Sequence, residues 1–122
     1  MSQRVFITGF GIITSIGNNS AENFQSLVTG RCGYGELSIP DTIHRTNLPS
    51  CEIKLEDDEL KKLTGVGDRK GFTRTTLLGL VALQEAINSA GLTKKEVHHS
   101  GLLSATTTGG IREFERHFYD LL

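Results

Sequence analysis

Three glycines near the N-terminus, in "RVFITGFGIITSIGNN" (residues 4–19), are of the type that a phosphate cradle needs. A G-x-G-x-x-G cradle ends a strand at its first glycine and starts a helix beside its third, so that helix N–H groups face a pyrophosphate. Here Gly9 and Gly11 are followed by Thr14 where the third glycine belongs, and the apolar run continues through Ile12 and Ile13. The first helix start is Asn19, with Glu22 three residues on as a capping box and Phe24, Leu27 and Val28 on one apolar face. That start lies too far from the glycines to point at a phosphate held by them, so the spacing argues against a dinucleotide site.

The thiols and imidazoles offer little more. Cys32 sits beside Arg31, a cation that favours a thiolate, but has no histidine near it in sequence. Cys51 lies in an expected edge strand without a basic neighbour, and both cysteines are expected to be structural. His98 and His99 are adjacent, so they point in different directions on a helix or a strand. Glu113 and His117 are four apart on the last helical segment, a spacing that suits a solvated ion pair when no third metal ligand accompanies it. His44, in a loop, carries no signal. No metal or cofactor is expected. Arg69, Lys70 and Arg74 cluster at the start of a long helix, and Thr106, Thr107 and Thr108 precede Gly109 and Gly110. Taken alone, the first group reads as a solvated helix start and the second as a β-branched strand ending.

The elements that must position these residues follow from periodicity. Residues 4–13 read as a buried strand, continuously apolar with little alternation. A helix over residues 20–29 stops at Gly30, residues 31–50 read as a loop holding both prolines, and "CEIKL" (51–55) reads as a short edge strand. "EDDELKKLTG" (56–65) has acids at its start and lysines at its end, as the helix dipole prefers. The helix over 72–90 carries Leu77, Leu80, Val81 and Ile87 on one face and a stripe of small residues, Gly79, Ala82, Ala86 and Ala90, on another. Such a stripe suits close approach by another element. Thr93 and Glu96 make a further capping box, "GLLSATTTGG" (101–110) reads as a second buried strand, and Ile111, Phe114, Phe118 and Leu121 share one side of a last helix. Strands separated by helices predict an α/β fold with parallel strands.

The chain has 122 residues, 37% hydrophobic and 22% charged, with a net charge of −1. That length suits one domain burying about two-thirds of its unfolded surface, and the charge gives no case for nucleic acid or an anionic membrane. No apolar stretch is long enough to cross a bilayer, no secretory leader is evident, and two cysteines do not make a disulfide scaffold, so a cytoplasmic setting is expected. The closing Tyr119, Leu121 and Leu122 continue an apolar periodicity where termini are usually polar, which predicts a truncated domain over residues 1–122.

In order along the chain, "RVFITGFGIITSIGN", "GRCG", "RTTLLGLVALQEAINSAGL" and "GLLSATTTGG" resemble the N-terminal part of a β-ketoacyl-[acyl-carrier-protein] synthase, a condensing enzyme with the thiolase fold; residues 35–68 match only loosely. The resemblance implies a thiolase-like α/β half with a mainly parallel or mixed sheet covered by helices, its first glycines packed where backbones approach closely. It implies a decarboxylative Claisen condensation, in which a cysteine takes an acyl chain from a carrier protein and two histidines assist malonyl decarboxylation. None of those three residues matches a position here, so no catalytic residue is assigned and the segment is expected to be inactive alone. The implied partners are an acyl carrier protein, an acyl thioester and a second subunit, in a homo- or hetero-dimer. In the family the turn matching Thr107, Thr108 and Gly109 borders the acyl-chain pocket, and a bulky apolar residue often stands at Thr108; threonine there points to a shorter or more polar acyl group. Basic residues near Arg69, Lys70 and Arg74 fit docking of an acidic carrier protein. Two other readings stand beside this one: a chain-length partner subunit without a reactive cysteine, and a free-standing α/β binding module.

Overall fold

The computed structural model describes residues 4–118, apart from the side chains at 112, 114, 116 and 117. Its elements are α1 (Ser20–Val28), β1 (Tyr34–Gly35), β2 (Ser50–Cys51), α2 (Asp57–Thr64), α3 (Arg74–Ser89), α4 (Lys94–His98) and α5 (Ile111–Phe118). The helix boundaries obey local chemistry. The Asn19 side chain accepts from the Glu22 N–H at the start of α1, and Glu22 returns bonds to the Asn18 N–H and the Asn19 amide. Glu56–Glu59 and Thr93–Glu96 form complete capping boxes on α2 and α4, and Gly65 closes α2 at φ 69°.

α3 is the organising element. Gly9 lies against Ala86 and Ala90, and Gly11 against Ala82 and Ala86, so the N-terminal segment runs antiparallel along the small-residue stripe of the helix. The two periods match: two residues of extended chain advance about 6.6 Å and four residues of helix about 6 Å. A Cβ at Gly9 would stand 2.7 Å from the Ala86 carbonyl oxygen, and one at Gly11 would stand 2.8 Å from both the Ala86 nitrogen and the Glu85 Cβ. Neither position has room for a side chain. The Glu85 carboxylate then fastens the seam, accepting from the Ile12 N–H at 2.9 Å and from the Ser20 N–H at 2.7 Å. Across the other side of α3, Leu60 of α2 and Leu77 are fully buried, and the Gln84 side chain donates to the Thr64 carbonyl near the end of α2.

The expected strands are corrected. The sheet among the described residues is one antiparallel pair, with Tyr34 opposite Cys51 and Gly35 opposite Ser50, and residues 4–13 and 101–106 belong to no ladder. An apolar, β-branched run becomes a strand when neighbours receive its backbone groups, and no described strand lies beside either segment. Their side chains are correspondingly open: Val5 is 94% exposed, Ile7 90% and Leu103 101%. On α1, Asn23 and Ser26 are buried while the apolar face of Phe24, Leu27 and Val28 is turned outward. The reason is polar. Asn23 Nδ2 donates to the carbonyls of Gly17 and Asn19, its Oδ1 accepts from the Thr14 hydroxyl, and the Ser26 hydroxyl donates to the Ile16 carbonyl. These bonds set the roll of the helix on the 14–17 turn, and turning the apolar face inward would leave them unmade. On α5, Ile111 and Phe118 are partly exposed; the Phe114 side chain and Leu121 lie outside the described residues, as do Tyr119 and Leu122.

The seam predicts opposite outcomes for two like substitutions on the same scaffold. Gly11→Ala is expected to destabilise the chain by about 1–3 kcal/mol through overpacking against α3. Gly79→Ala, which meets nothing within 4 Å in a helix interior, is expected to stabilise by about 0.5–1 kcal/mol. Denaturant unfolding of both variants checks this, and a shared sign would contradict it.

Candidate functional site

The first turn of α3 meets the glycine turn that precedes α5. Thr73 caps α3 by accepting from the Thr76 N–H, and its methyl carbon lies 3.9 Å from where a Cβ on Gly110 would be. Between the two lies a cavity of about 190 Å³, lined by Thr73, Thr75 and Leu78 on one side and by Thr108, Gly110 and Ile111 on the other. Asp57, Arg74 and Glu113 complete its wall. Of the three residues expected at a substrate pocket, Thr108 lines this cavity while Thr107 and Gly109 flank it in the turn. Gly109 is needed there because a Cβ would stand 2.7 Å from the Thr106 methyl. The lining joins three threonines and two aliphatic side chains to two carboxylates and a guanidinium, and it can receive a small group of mixed polarity.

The basic cluster divides. Arg69 and Lys70 are exposed in the loop between Gly65 and Gly71, and neither makes an ion pair among the described residues. Arg74 turns the other way. Its guanidinium donates to the Ile53 carbonyl at 2.7 Å, the Leu55 carbonyl at 2.8 Å and Asp57 Oδ1 at 2.7 Å. The fork thus joins the first turn of α3 to the segment leading into α2.

A second polar centre went unnoticed in the sequence. Glu52 follows β2 and accepts from the Ser38 N–H at 2.9 Å, the Ser38 hydroxyl at 2.7 Å, the Ile39 N–H at 3.0 Å and the Lys54 ammonium at 2.5 Å. Burial raises its pKa, but the bonds from Lys54, Ser38 and Ile39 outweigh it and hold the carboxyl at about 2. Glu85 is shifted in the same direction, burial again opposing and the Ser20 and Ile12 donors prevailing. Neither glutamate stood in a recognisable motif. The available signal for Glu85 was its place beside Ala82 and Ala86 on α3, a lone acid next to an otherwise small stripe.

The remaining candidates are not brought together. Cys32 and Cys51 are free and exposed. His98 ends α4, and His99 Nδ1 lies 2.7 Å from the Lys95 carbonyl. No group of three or more metal-ligating side chains occurs among the described residues, and the side chain of His117, expected to pair with Glu113, lies outside them.

The family described as "Beta-ketoacyl synthase, N-terminal domain" matches residues 2–120. The chain belongs to the beta-ketoacyl synthase family. It is 31% identical over 115 residues to 3-oxoacyl-[acyl-carrier-protein] synthase 2 of Synechocystis sp., covering 93% of this chain and 27% of that protein. It is 33% identical over 112 residues to 3-oxoacyl-[acyl-carrier-protein] synthase 1 of Haemophilus influenzae, covering 88% and 26%. The corresponding Escherichia coli synthase 1 is 30% identical over 117 residues, covering 90% and 27%. The chain therefore spans about a quarter of the length of the curated relatives it matches. Family membership implies the thiolase-like α/β class. No solved structure matches the chain significantly. No helix among the described residues is long and apolar enough to cross a membrane.

Glu52 gives the stability of the fold a pH dependence. Its folded pKa, about 2, lies below the ordinary glutamate value of 4.5, so its contribution is complete above pH 4.5 and is lost as pH falls toward 2. Glu52→Gln is expected to cost on the order of 2 kcal/mol at neutral pH and to flatten the acid limb of a stability–pH profile in that window. An unchanged acid limb would contradict the assignment.

Proposed function

We propose that the chain is the N-terminal segment of a β-ketoacyl-[acyl-carrier-protein] synthase that carries out decarboxylative Claisen condensation in fatty-acid or polyketide-type synthesis. The match of the synthase N-terminal domain to residues 2–120 carries this reading. In that reaction a cysteine thiolate takes the acyl group from its carrier thioester. The malonyl unit then loses CO₂, its enolate attacks the enzyme-bound thioester carbonyl to form the new carbon–carbon bond, and the thiolate leaves. The cysteine and the two histidines of the chemistry are proposed to lie outside these 122 residues; Cys32 and Cys51, free and exposed, are not assigned to it.

The part proposed for this chain is binding. The cavity at Thr108 receives the distal end of an acyl group, and its size of about 190 Å³ and its hydroxyl lining suit a short or partly polar chain better than a long saturated one. Arg69 and Lys70 offer the exposed charge for an acidic carrier protein, and Arg74, engaged with residues 53–57, is the least available of the three for docking. The exposed apolar runs around Val5–Ile7 and Leu102–Leu103 suit burial in a larger sheet and a dimer, in a cytoplasmic enzyme.

Two measurements check the proposal. The chain, incubated with acyl- and malonyl-loaded carrier protein, is expected to release no CO₂; release would put catalytic groups within these residues. Reversing charge with Arg69→Glu and Lys70→Glu is expected to weaken carrier binding roughly tenfold, mainly in the association rate and less at high salt. Unchanged binding would remove the docking assignment.

A further inference from the structure

Arg74 has the residue type and the sequence neighbourhood of a docking cation, yet its charge is spent inward. The guanidinium satisfies two backbone carbonyls and one carboxylate of a single short segment, Ile53, Leu55 and Asp57, at 2.7–2.8 Å. That side chain is 21% exposed and its Asp57 partner 35%. Asp57 is also the first residue of α2, where a negative charge is favoured by the helix dipole. One fork therefore ties the entry of α2 to the entry of α3. The Thr108–Gly110 turn rests against that same first turn of α3, through Gly110 beside Thr73, and Arg74 and Asp57 both reach the cavity wall.

We infer that Arg74 is a positioning residue for the Thr108 cavity, acting through the first turn of α3 to set the shape of a pocket for short acyl thioesters. The ligand class rests on the acyl-pocket reading above; the positioning does not. Two separate guanidinium nitrogens share the acceptors, Nη1 taking the Leu55 carbonyl and Asp57 and Nη2 the Ile53 carbonyl, so the single nitrogen of a lysine cannot reproduce that spread although it keeps the charge. A docking role requires the charge alone, and lysine would then suffice.

The test uses the full 122-residue chain and two readouts: the nuclear Overhauser contact between the Thr73 methyl and the Gly110 Hα, and the affinity for hexanoyl-pantetheine. In Arg74→Gln and in Arg74→Lys alike, the contact is expected to vanish and the affinity to fall roughly tenfold. Asp57→Ala removes one of the three acceptors without touching Arg74 and is expected to weaken the Thr73–Gly110 contact, which keeps the test decisive if the Arg74 variants fail to fold; a folded Asp57→Ala with the contact at full strength would overturn the inference. Arg74 variants that melt earlier but keep contact and affinity would overturn the inference, as would full rescue by Arg74→Lys. If the unaltered chain binds no hexanoyl-pantetheine, the acyl reading fails, and the Thr73–Gly110 contact still decides the role of Arg74.

Discussion

The Glu85 carboxylate is where the two halves of this segment are joined. One oxygen accepts from the Ile12 N–H, and the other from the N–H and hydroxyl of Ser20, so a single side chain on α3 fixes both the end of the apolar N-terminal run and the start of α1. The arrangement depends on proximity that only glycine opposite alanine allows. With side chains at 9 and 11 the backbone would stand off from α3, and the carboxylate could not reach Ile12. Charge-assisted bonds of this kind contribute more than neutral ones, and a carboxylate accepting several is held ionised, as the lowered pKa of Glu85 reflects.

The same economy of means recurs elsewhere. Leu60 and Leu77 are the only fully buried large side chains among the described residues, so apolar burial between α2 and α3 does a limited part of the work. Convergent polar groups do much of the rest. Asn23 and Ser26 orient α1, Glu52 gathers the 38–39 loop onto the segment after β2, and Arg74 gathers residues 53–57 onto α3. The apolar faces are left largely open: the chain exposes 9934 Å², where a folded monomer of its mass of 13.3 kDa exposes about 6,500 Å².

What the sequence made legible is what is locally encoded. Caps at Asn19, Thr93 and Gly65 are decided within four residues, and the helices begin and end at them. The stripe of Ala82, Ala86 and Ala90 announced close approach by another element, because small residues at a spacing of four leave a groove that backbone can fill. Long-range pairing was not legible. The apolar runs at 4–13 and 101–110 have strand composition but find no described partners, since pairing depends on neighbours rather than on the run itself. Apolar spacing found the Phe24–Leu27–Val28 face of α1 but not the bonds to the 14–17 turn that set which face is buried. At the cavity, Thr108 and Arg74 were both singled out, for separate reasons, and only the fold brings them to one wall.

The account turns on the seam between the N-terminal segment and α3, and amide hydrogen exchange reads it residue by residue. The Ile12 and Ser20 amides are expected to exchange at least about tenfold more slowly than those of Phe6 and Ile7, and Glu85→Ala is expected to abolish that difference while leaving the Leu77 amide protected within α3. Ile12 and Ser20 exchanging as fast as Ile7 in the unaltered chain, or staying slow in Glu85→Ala, would contradict it.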